Sequence, residues 1–315
     1  MNNPQAQSRL WTPAEIDARI VRYADLRPCL NAFVDTRTPG SEAKENFTII
    51  GPGVSENPEQ YVHIAESHGF NIGGARQPPR CVNSQHSHDT AEVFIVHSGR
   101  WRFDLGEHGE DAQVTAGPGD VISFPIKTFR GFTNIGDDNG FLFAILGQDD
   151  PGRVLWAPDV FDMAREYGLV LLESGQLIDT VSGQKMPPDA RPMPVTSTTQ
   201  VNQMKHVSQT EAERLVWRPG NRSGSLSTAI IGDGAPLDWP HGFAVERLDL
   251  ASGDEYSLPI VSNPEVVFVH LGDLVIRRSD GEARLGSGDT ITIPPGVDWT
   301  LASGDGCVAY HVNRD

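Results

Sequence analysis

Four short segments of this 315-residue chain each recur once, in the same order, which restricts it to a fold that can be built twice. Ile49-Ile50-Gly51-Pro52-Gly53 returns as Ile230-Ile231-Gly232-Asp233-Gly234, and His68-Gly69-Phe70 returns as His241-Gly242-Phe243. Glu92-Val93-Phe94-Ile95-Val96-His97-Ser98-Gly99 returns as Glu265-Val266-Val267-Phe268-Val269-His270-Leu271-Gly272. Gly119-Asp120-Val121-Ile122-Ser123-Phe124-Pro125 returns as Gly288-Asp289-Thr290-Ile291-Thr292-Ile293-Pro294. The second and third pairs are offset by 173 residues and the fourth by 169. The loss of four residues falls in a hairpin between strands, where deletions are tolerated. The chain therefore holds two copies of one domain.

Each copy reads as a series of short strands rich in Val, Ile, Phe and Thr. Gly, Pro, Asp and Asn break them at close intervals, the pattern of an all-β sandwich or barrel. Few helices are expected. Thr12-Pro13-Ala14-Glu15 has the form of a capping box with proline at the first helical position, and predicts a helix to about Tyr23. Asp159 is placed to cap a helix running to Tyr167 and ended by Gly168, and Ser208 with Glu211 makes a third box. The Pro-, Thr- and Ser-rich stretch from Met186 to Asn202 reads as the linker. The expected organisation is an N-terminal helical arm over 1–44 and a first barrel over 45–150. A helix-containing connector over 151–224 and a second barrel over 225–315 follow.

Composition narrows the function. Hydrophobic residues make up 38% and charged residues 21%, as in globular chains. A net charge of −17 argues against nucleic acid and against anionic membrane, both of which select basic surfaces. Cys29, Cys81 and Cys307 are far apart and odd in number, so they suggest neither a disulfide framework nor a zinc knuckle. Met1–Trp11 lacks the apolar core of a signal peptide, and no run of about 18 apolar residues occurs, so the expected location is a reducing cytoplasm. There is no GxGxxG after a strand, no P-loop, no GxSxG and no HExxH.

The residues that carry chemistry are His86, His88 and Glu92. On a strand, residues two apart share a face, so both imidazoles can point into a barrel, and Glu92 has the same parity. Two imidazoles and a carboxylate suit Fe(II), Mn, Co, Ni or Zn and leave positions open for substrate or oxygen.

These residues resemble the two motifs of the cupin superfamily. The first is G(X)5HXH(X)3-4E(X)6G, which His86, His88, Glu92 and Gly99 fit in spacing, with Arg80 where the leading glycine would be. The second is G(X)5PXG(X)2H(X)3N, which Gly119, Pro125 and Asn134 fit. The resemblance covers roughly residues 45–150 and 225–315 and identifies a bicupin. It implies two double-stranded β-helix (jelly-roll-like) barrels with a few short helices, and a metal inside the first.

The chain departs from the second motif at its histidine, a metal ligand in the family, where Arg130 stands. Arginine stays charged and does not ligate metals. Three arrangements are open. Metal can bind to His86, His88 and Glu92 while Arg130 grips an anionic substrate. A loop residue such as His63, His68 or Gln85 can complete the ligand set. Or Arg130 pairs with Glu92 and leaves the barrel without metal. In the second copy Pro259, Val261 and Trp299 align with His86, His88 and Arg130, and only Glu265 survives, so that barrel is read as structural.

The expected function is a metal-dependent bicupin enzyme, an Fe(II) dioxygenase of a small anionic or phenolic compound, resembling bicupin dioxygenases in architecture. Iron is the first choice of metal, with Mn, Ni, Co or Zn as alternatives. Arg130 and Glu92 are the candidate catalytic residues, and Gln85, Phe103, Arg130 and Phe132 the candidate substrate pocket. Alternative functions are isomerase, lyase or decarboxylase chemistry on the same fold, or metal-free binding of a small anion. The resemblance also implies a homodimer. His97 and His270, which repeat in both copies, are expected to pack, as are His68 and His241, and Cys81 to be buried and inert.

Overall fold

The structure is a computed structural model and describes residues 12–220, 225–278 and 281–314. The polar stretch Met1–Trp11 lies outside them. Two compact units emerge: Arg27–Glu66 with Phe70–Arg218, and Met1–Leu26 with Ser67–Gly69 and Pro219–Asp315. No helix is long and apolar enough to cross a membrane among the described residues.

The unit carrying the histidines is built from two sheets. The larger is seven-stranded and ordered Val216–Trp217, Val121–Phe124, Glu92–Ser98, Gly140–Gly147, Phe70–Gln77, Glu45–Ile50, Val62–Ile64. The smaller is five-stranded and ordered Val154–Trp156, Val82–His88, Arg130–Asn134, Trp101–Leu105, Ala112–Ala116. Alternating sequence produces alternating burial where one face meets water, as along Ala112–Ala116, whereas the wholly apolar Gly140–Gly147 is buried at every residue. Aromatic side chains from both sheets close the barrel. Phe94 and Phe124 of the larger meet Phe103 and Phe132 of the smaller, with ring centroids 5.8 Å apart for Phe94–Phe103 and 5.2 Å for Phe94–Phe132.

The other unit repeats the plan. Thr290–Ile293, Glu265–Gly272, Cys307–Arg314, Phe243–Leu250 and Ser227–Ile231 form one sheet in that order; Glu255–Leu258, Trp299–Ala302, Leu274–Arg278 and Gly281–Leu285 form the other. Its core includes Leu248, Val267, Ile276, Ile291, Trp299 and Leu301. The duplication extends to irregularities. The ladder of each copy shifts register at the same histidine, between Val96 and Ser98 around His97 and between Val269 and Leu271 around His270. His97 packs against Phe141 and His270 against Tyr310, and burial pushes His97 down to about 4, so it is a neutral packing residue.

Several expected boundaries move. The Thr12 capping box forms, with Glu15 returning the hydrogen bond, but the helix is Pro13–Asp17 and stops short of Tyr23. Ile20 and Val21 instead pair with Ile291 and Thr290 of the second barrel, so strand pairing of β-branched residues overrides helix extension. From Arg27 onward the chain belongs to the first unit, so the N-terminal segment is not a single helical arm. The second helix is Pro158–Glu166, capped by Ala157 rather than Asp159, which lies in its first turn near the positive end of the helix dipole. The 186–202 stretch is packed rather than free. Met193 N bonds to Leu171 O (2.7 Å), Thr196 Oγ1 to Trp156 O (2.6 Å), and Thr198–Val201 is a capped helix, so the chain changes unit near Pro219.

Two positions show the repeat under strain. Arg80, where the first motif has glycine, sits at φ +67°, and its counterpart in the second copy is Gly253 at φ +84°. Lys127, where the second motif has its middle glycine, sits at φ +61°, and its counterpart is Gly296 at φ +78°. A side chain in this left-handed region costs about 1–2 kcal/mol. Arg80→Gly is therefore expected to raise the melting temperature of the first barrel by about 2 °C, measured by scanning calorimetry. A lower melting temperature would show that Arg80 makes a compensating contact.

Candidate metal centre

The strand Val82–His88 is placed between Val154–Trp156 and Arg130–Asn134, and this double pairing fixes its pleat. His86 and His88 project from one face with ring centroids 5.1 Å apart, and Glu92 opens the facing strand Glu92–Ser98. All three are buried, and one ligand atom from each lies within 4.8 Å of the others. No second group of three such side chains occurs among the described residues.

Hydrogen bonding sets the state of each group. His86 Nδ1 lies 2.7 Å from Ser84 O, and a carbonyl only accepts, so Nδ1 carries the proton and Nε2 keeps its lone pair. Burial first, then the positive field of Arg130 and the neighbouring His88, hold His86 well below the ordinary imidazole range. Burial also lowers His88, against the pull of Glu92. His88 Nε2 is 3.3 Å from Glu92 Oε1, while its buried Nδ1 has no hydrogen-bond partner. Arg130 grips the other oxygen, with Nε at 3.0 Å and Nη2 at 2.6 Å from Glu92 Oε2. Burial works to raise the Glu92 carboxyl, but the Arg130 guanidinium outweighs it and keeps the group anionic far below the usual carboxylate range. The donor set is thus two neutral imidazoles and one locked carboxylate, with an orphaned buried nitrogen. That chemistry fits a divalent transition metal.

The site opens on a cavity of about 70 Å³ walled by Phe47, Phe94, Phe132, Ala144, Leu146 and Trp156. One water requires about 10–15 Å³ on the same measure, so a compact molecule fits. Phe132 thus lines the cavity, but three other expected pocket residues do not. Gln85 has the opposite parity to His86, and its amide donates outward to Asp104 O (3.0 Å) and Gly106 O (2.8 Å). Phe103 is fully buried in the aromatic stack behind Phe94 and Phe132. Arg130 does not reach the cavity. Besides Glu92, its donors reach His86 O and Thr128 O, both at 3.3 Å, and its guanidinium lies over Phe124. An internal anion has taken the place of the expected anionic substrate. The alternative ligands also lie elsewhere: His63 accepts from Arg27 N at 3.2 Å, and His68 belongs to the other unit.

Sequence reasoning missed Trp156 and Glu56. Trp156 pairs in register with His86, its ring 5.4 Å from the imidazole, and donates to Glu56 Oε1 at 2.6 Å. Glu56 Oε2 accepts from Val34 N at 2.6 Å, and burial pushes its carboxyl up to about 8 against both bonds. Neither residue belongs to a motif: Trp156 lies past the last matched segment and Glu56 in a loop. Nearby, Lys44 pairs with Asp35 in full burial and also donates to Asn83 Oδ1 (2.9 Å). In the second barrel Trp299 pairs with Leu258, and Pro259 and Val261 follow the strand Glu255–Leu258 rather than lying on it. Glu265 lies 3.2 Å from His311, a histidine on the strand Cys307–Arg314 that no motif marks.

The family model for the cupin domain matches residues 75–146, the segment that holds His86, His88, Glu92 and Arg130. This barrel is a cupin domain. Solved structures share the cupin architecture across nearly the whole chain. Oxalate decarboxylase of Bacillus subtilis, in a deletion mutant, is 12% identical over 94% of this chain and 77% of its own, with a TM-score of 0.56. Hazelnut (Corylus avellana) vicilin is 12% identical over 94% and 85%, with a TM-score of 0.53. Salicylate 1,2-dioxygenase of Pseudoaminobacter salicylatoxidans is 15% identical over 79% and 69%, at 0.48. The likeness to the decarboxylase and the vicilin establishes the fold, two cupin barrels, and leaves the reaction to the site. No curated protein is similar enough in sequence to count as a relative.

Arg130→Met strands the Glu92 carboxylate and, in metal-free protein, is expected to cost about 3–5 kcal/mol at pH 7. Wild-type Glu92 has a depressed folded pKa, so its contribution is present above about 4.5 and lost as pH falls below it. In the variant burial dominates and the sign reverses, with stability lost as pH rises above 4.5. The stability gap measured by urea denaturation in chelator should therefore narrow between pH 7 and pH 5, and Arg130→Met/Glu92→Gln should recover most of it. A gap independent of pH would show that Arg130 acts by packing.

Proposed function

We propose that this protein is a metal-dependent cupin enzyme, an Fe(II) dioxygenase of a small, largely apolar compound bearing phenolic or carboxylate oxygen. The observation that carries this reading is the convergence of neutral His86, neutral His88 and anionic Glu92 at the end of an apolar cavity. Two histidines and one carboxylate are the ligand set of non-haem iron oxygenases. A bound metal would supply Lewis acidity and coordination positions for the substrate oxygen and for O2.

The protein's own groups divide the remaining work. Ser84 O orients the His86 ring by holding the proton on Nδ1. Arg130 holds Glu92 by one oxygen and keeps it ionised, which suits a ligand and makes it a weak proton acceptor. Phe94, Phe132 and Leu146 hold the apolar body and exclude water. No cationic side chain lines this cavity, so recognition of the substrate oxygen falls to a bound metal and to neutral donors such as Asn46, whose buried Nδ2 has no hydrogen-bond partner among the described residues, rather than to Arg130.

A second reading has its own observation. Arg130 neutralises Glu92 without help, and such a pair can fill a barrel that binds small molecules and turns nothing over. Elemental analysis of protein purified without a metal-binding tag separates the two. The enzyme reading predicts about one equivalent of transition metal, lost in His86→Ala/His88→Ala while the fold is retained, and oxygen uptake with small phenolic acids after anaerobic iron loading. Protein that is empty and cannot be loaded with Fe(II) overturns it. Loaded protein that consumes no oxygen but releases CO2 from a carboxylate would move the reaction to decarboxylation.

A further inference from the structure

A larger cleft, of about 580 Å³, lies on the other side of the wall that His88 and Trp156 form. Its floor is the edge strand Val154–Trp156, and His88, Val154 and Trp156 line both this cleft and the inner cavity. Its apolar walls come from three separate places: Phe161 on the helix Pro158–Glu166, Met193 and Met204 on the packed 186–204 segment, and Ile126 in the turn before Arg130. Ile126 is 44% exposed and adds an apolar surface to this wall.

The rim carries two cations and one acid, a balance opposite to that of the protein as a whole. Lys127 and Arg153 both border the cleft in a chain of net charge −17. Lys127 has no carboxylate partner among the described residues. Among the described residues the Arg153 guanidinium reaches Glu173 O, at 3.4 Å. The one acid of the rim, Asp89, is occupied in accepting from Arg153 N at 3.2 Å. Lys127 also sits at φ +61°, where the second copy has Gly296 at φ +78°. Backbone strain of this kind persists where the side chain has a use. The volume falls within the range of small-molecule sites, and apolar walls with a few convergent polar groups are the usual composition of such sites.

We propose that this cleft binds an amphiphilic organic anion, an apolar body ending in a carboxylate, with the carboxylate between Lys127 and Arg153. The apolar body lies along Leu155, Met193 and Met204, against the outer side of the His88 wall. The site is distinct from the inner cavity and does not require metal.

Decanoate is the probe, titrated into full-length protein in chelator by isothermal calorimetry, with decan-1-ol as its uncharged analogue. Wild type is expected to bind one decanoate saturably, more tightly than decanol, and less tightly as salt is raised. Lys127→Gly with Arg153→Gln should weaken decanoate about tenfold and leave decanol unchanged. Lys127→Gly alone relieves strain, so it should melt no lower than wild type while binding less well, which separates lost recognition from lost folding. His86→Ala, which removes one of the metal-site imidazoles without touching a residue that lines this cleft, should still bind, so a failed metal reading does not carry this one down. Absence of saturable binding in wild type, or equal affinity in the Lys127→Gly/Arg153→Gln variant, overturns the proposal.

Discussion

Glu92 and Arg130 come from opposite sheets and meet in the interior with side chains almost fully screened from water. Taking both charges out of solvent is expensive, and only close geometry with every donor engaged returns that cost. The structure meets the condition by dividing the carboxylate. One oxygen takes two hydrogen bonds from the guanidinium and the other faces His88. Nη1 donates to His86 O and Thr128 O. Arg130 therefore fixes three things together: the charge of Glu92, the backbone position of His86, and the distance between the sheets. Neutral His86 and His88 follow from the same cause, because the positive field of Arg130 adds to burial in disfavouring their protonated forms.

The second barrel shows the same backbone without that pair. Trp299 takes the place of Arg130 and lies under the guanidinium of Arg278, while Glu265 finds His311 from a neighbouring strand. Strand order is retained, and so is the bulge at the histidine shared by the repeats. The scaffold thus tolerates exchange of its central charge arrangement. This places the Glu92–Arg130 pair among features that specify a site rather than a fold. Removing either partner alone leaves a stranded charge in the first barrel, whereas in the second the buried Glu265 has His311 beside it and an aromatic ring packs where the arginine would be.

Much of the fold was legible in the sequence because repetition and strand periodicity are written locally. Glu92, His86 and His88 were found by spacing for the same reason. What escaped depends on contacts between distant segments. Whether Arg130 faces a substrate or Glu92 is decided across two sheets, and the spacing left both open. Gln85 was assigned to the pocket by its proximity to His86, although parity already placed it on the opposite face. A bulge at Gly131 adds to this: a Cβ there would lie 2.1 Å from Gln85 Oε1. Trp156 joins the site only because its strand pairs with the histidine strand, and no local pattern announces that pairing. The early end of the first helix has the same origin, since Ile20 and Val21 are claimed by a strand some 270 residues away.

The left-handed positions carry the comparison between the copies one step further. At two places where the second barrel uses Gly253 and Gly296, the first uses Arg80 and Lys127 in the same backbone conformation. A chain free to choose would place glycine in both, since a Cβ there is strained and glycine is not. Both replacements are long cations, in a protein whose overall charge is strongly negative, and both flank the strands that carry the metal-site residues. Strain accepted for the sake of a backbone contact would be equally served by alanine or asparagine. Strain accepted for a charge requires the amine or guanidinium itself. Lys127 has no carboxylate partner among the described residues, so internal ion pairing there does not account for its charge, and the proposed ligand carboxylate would.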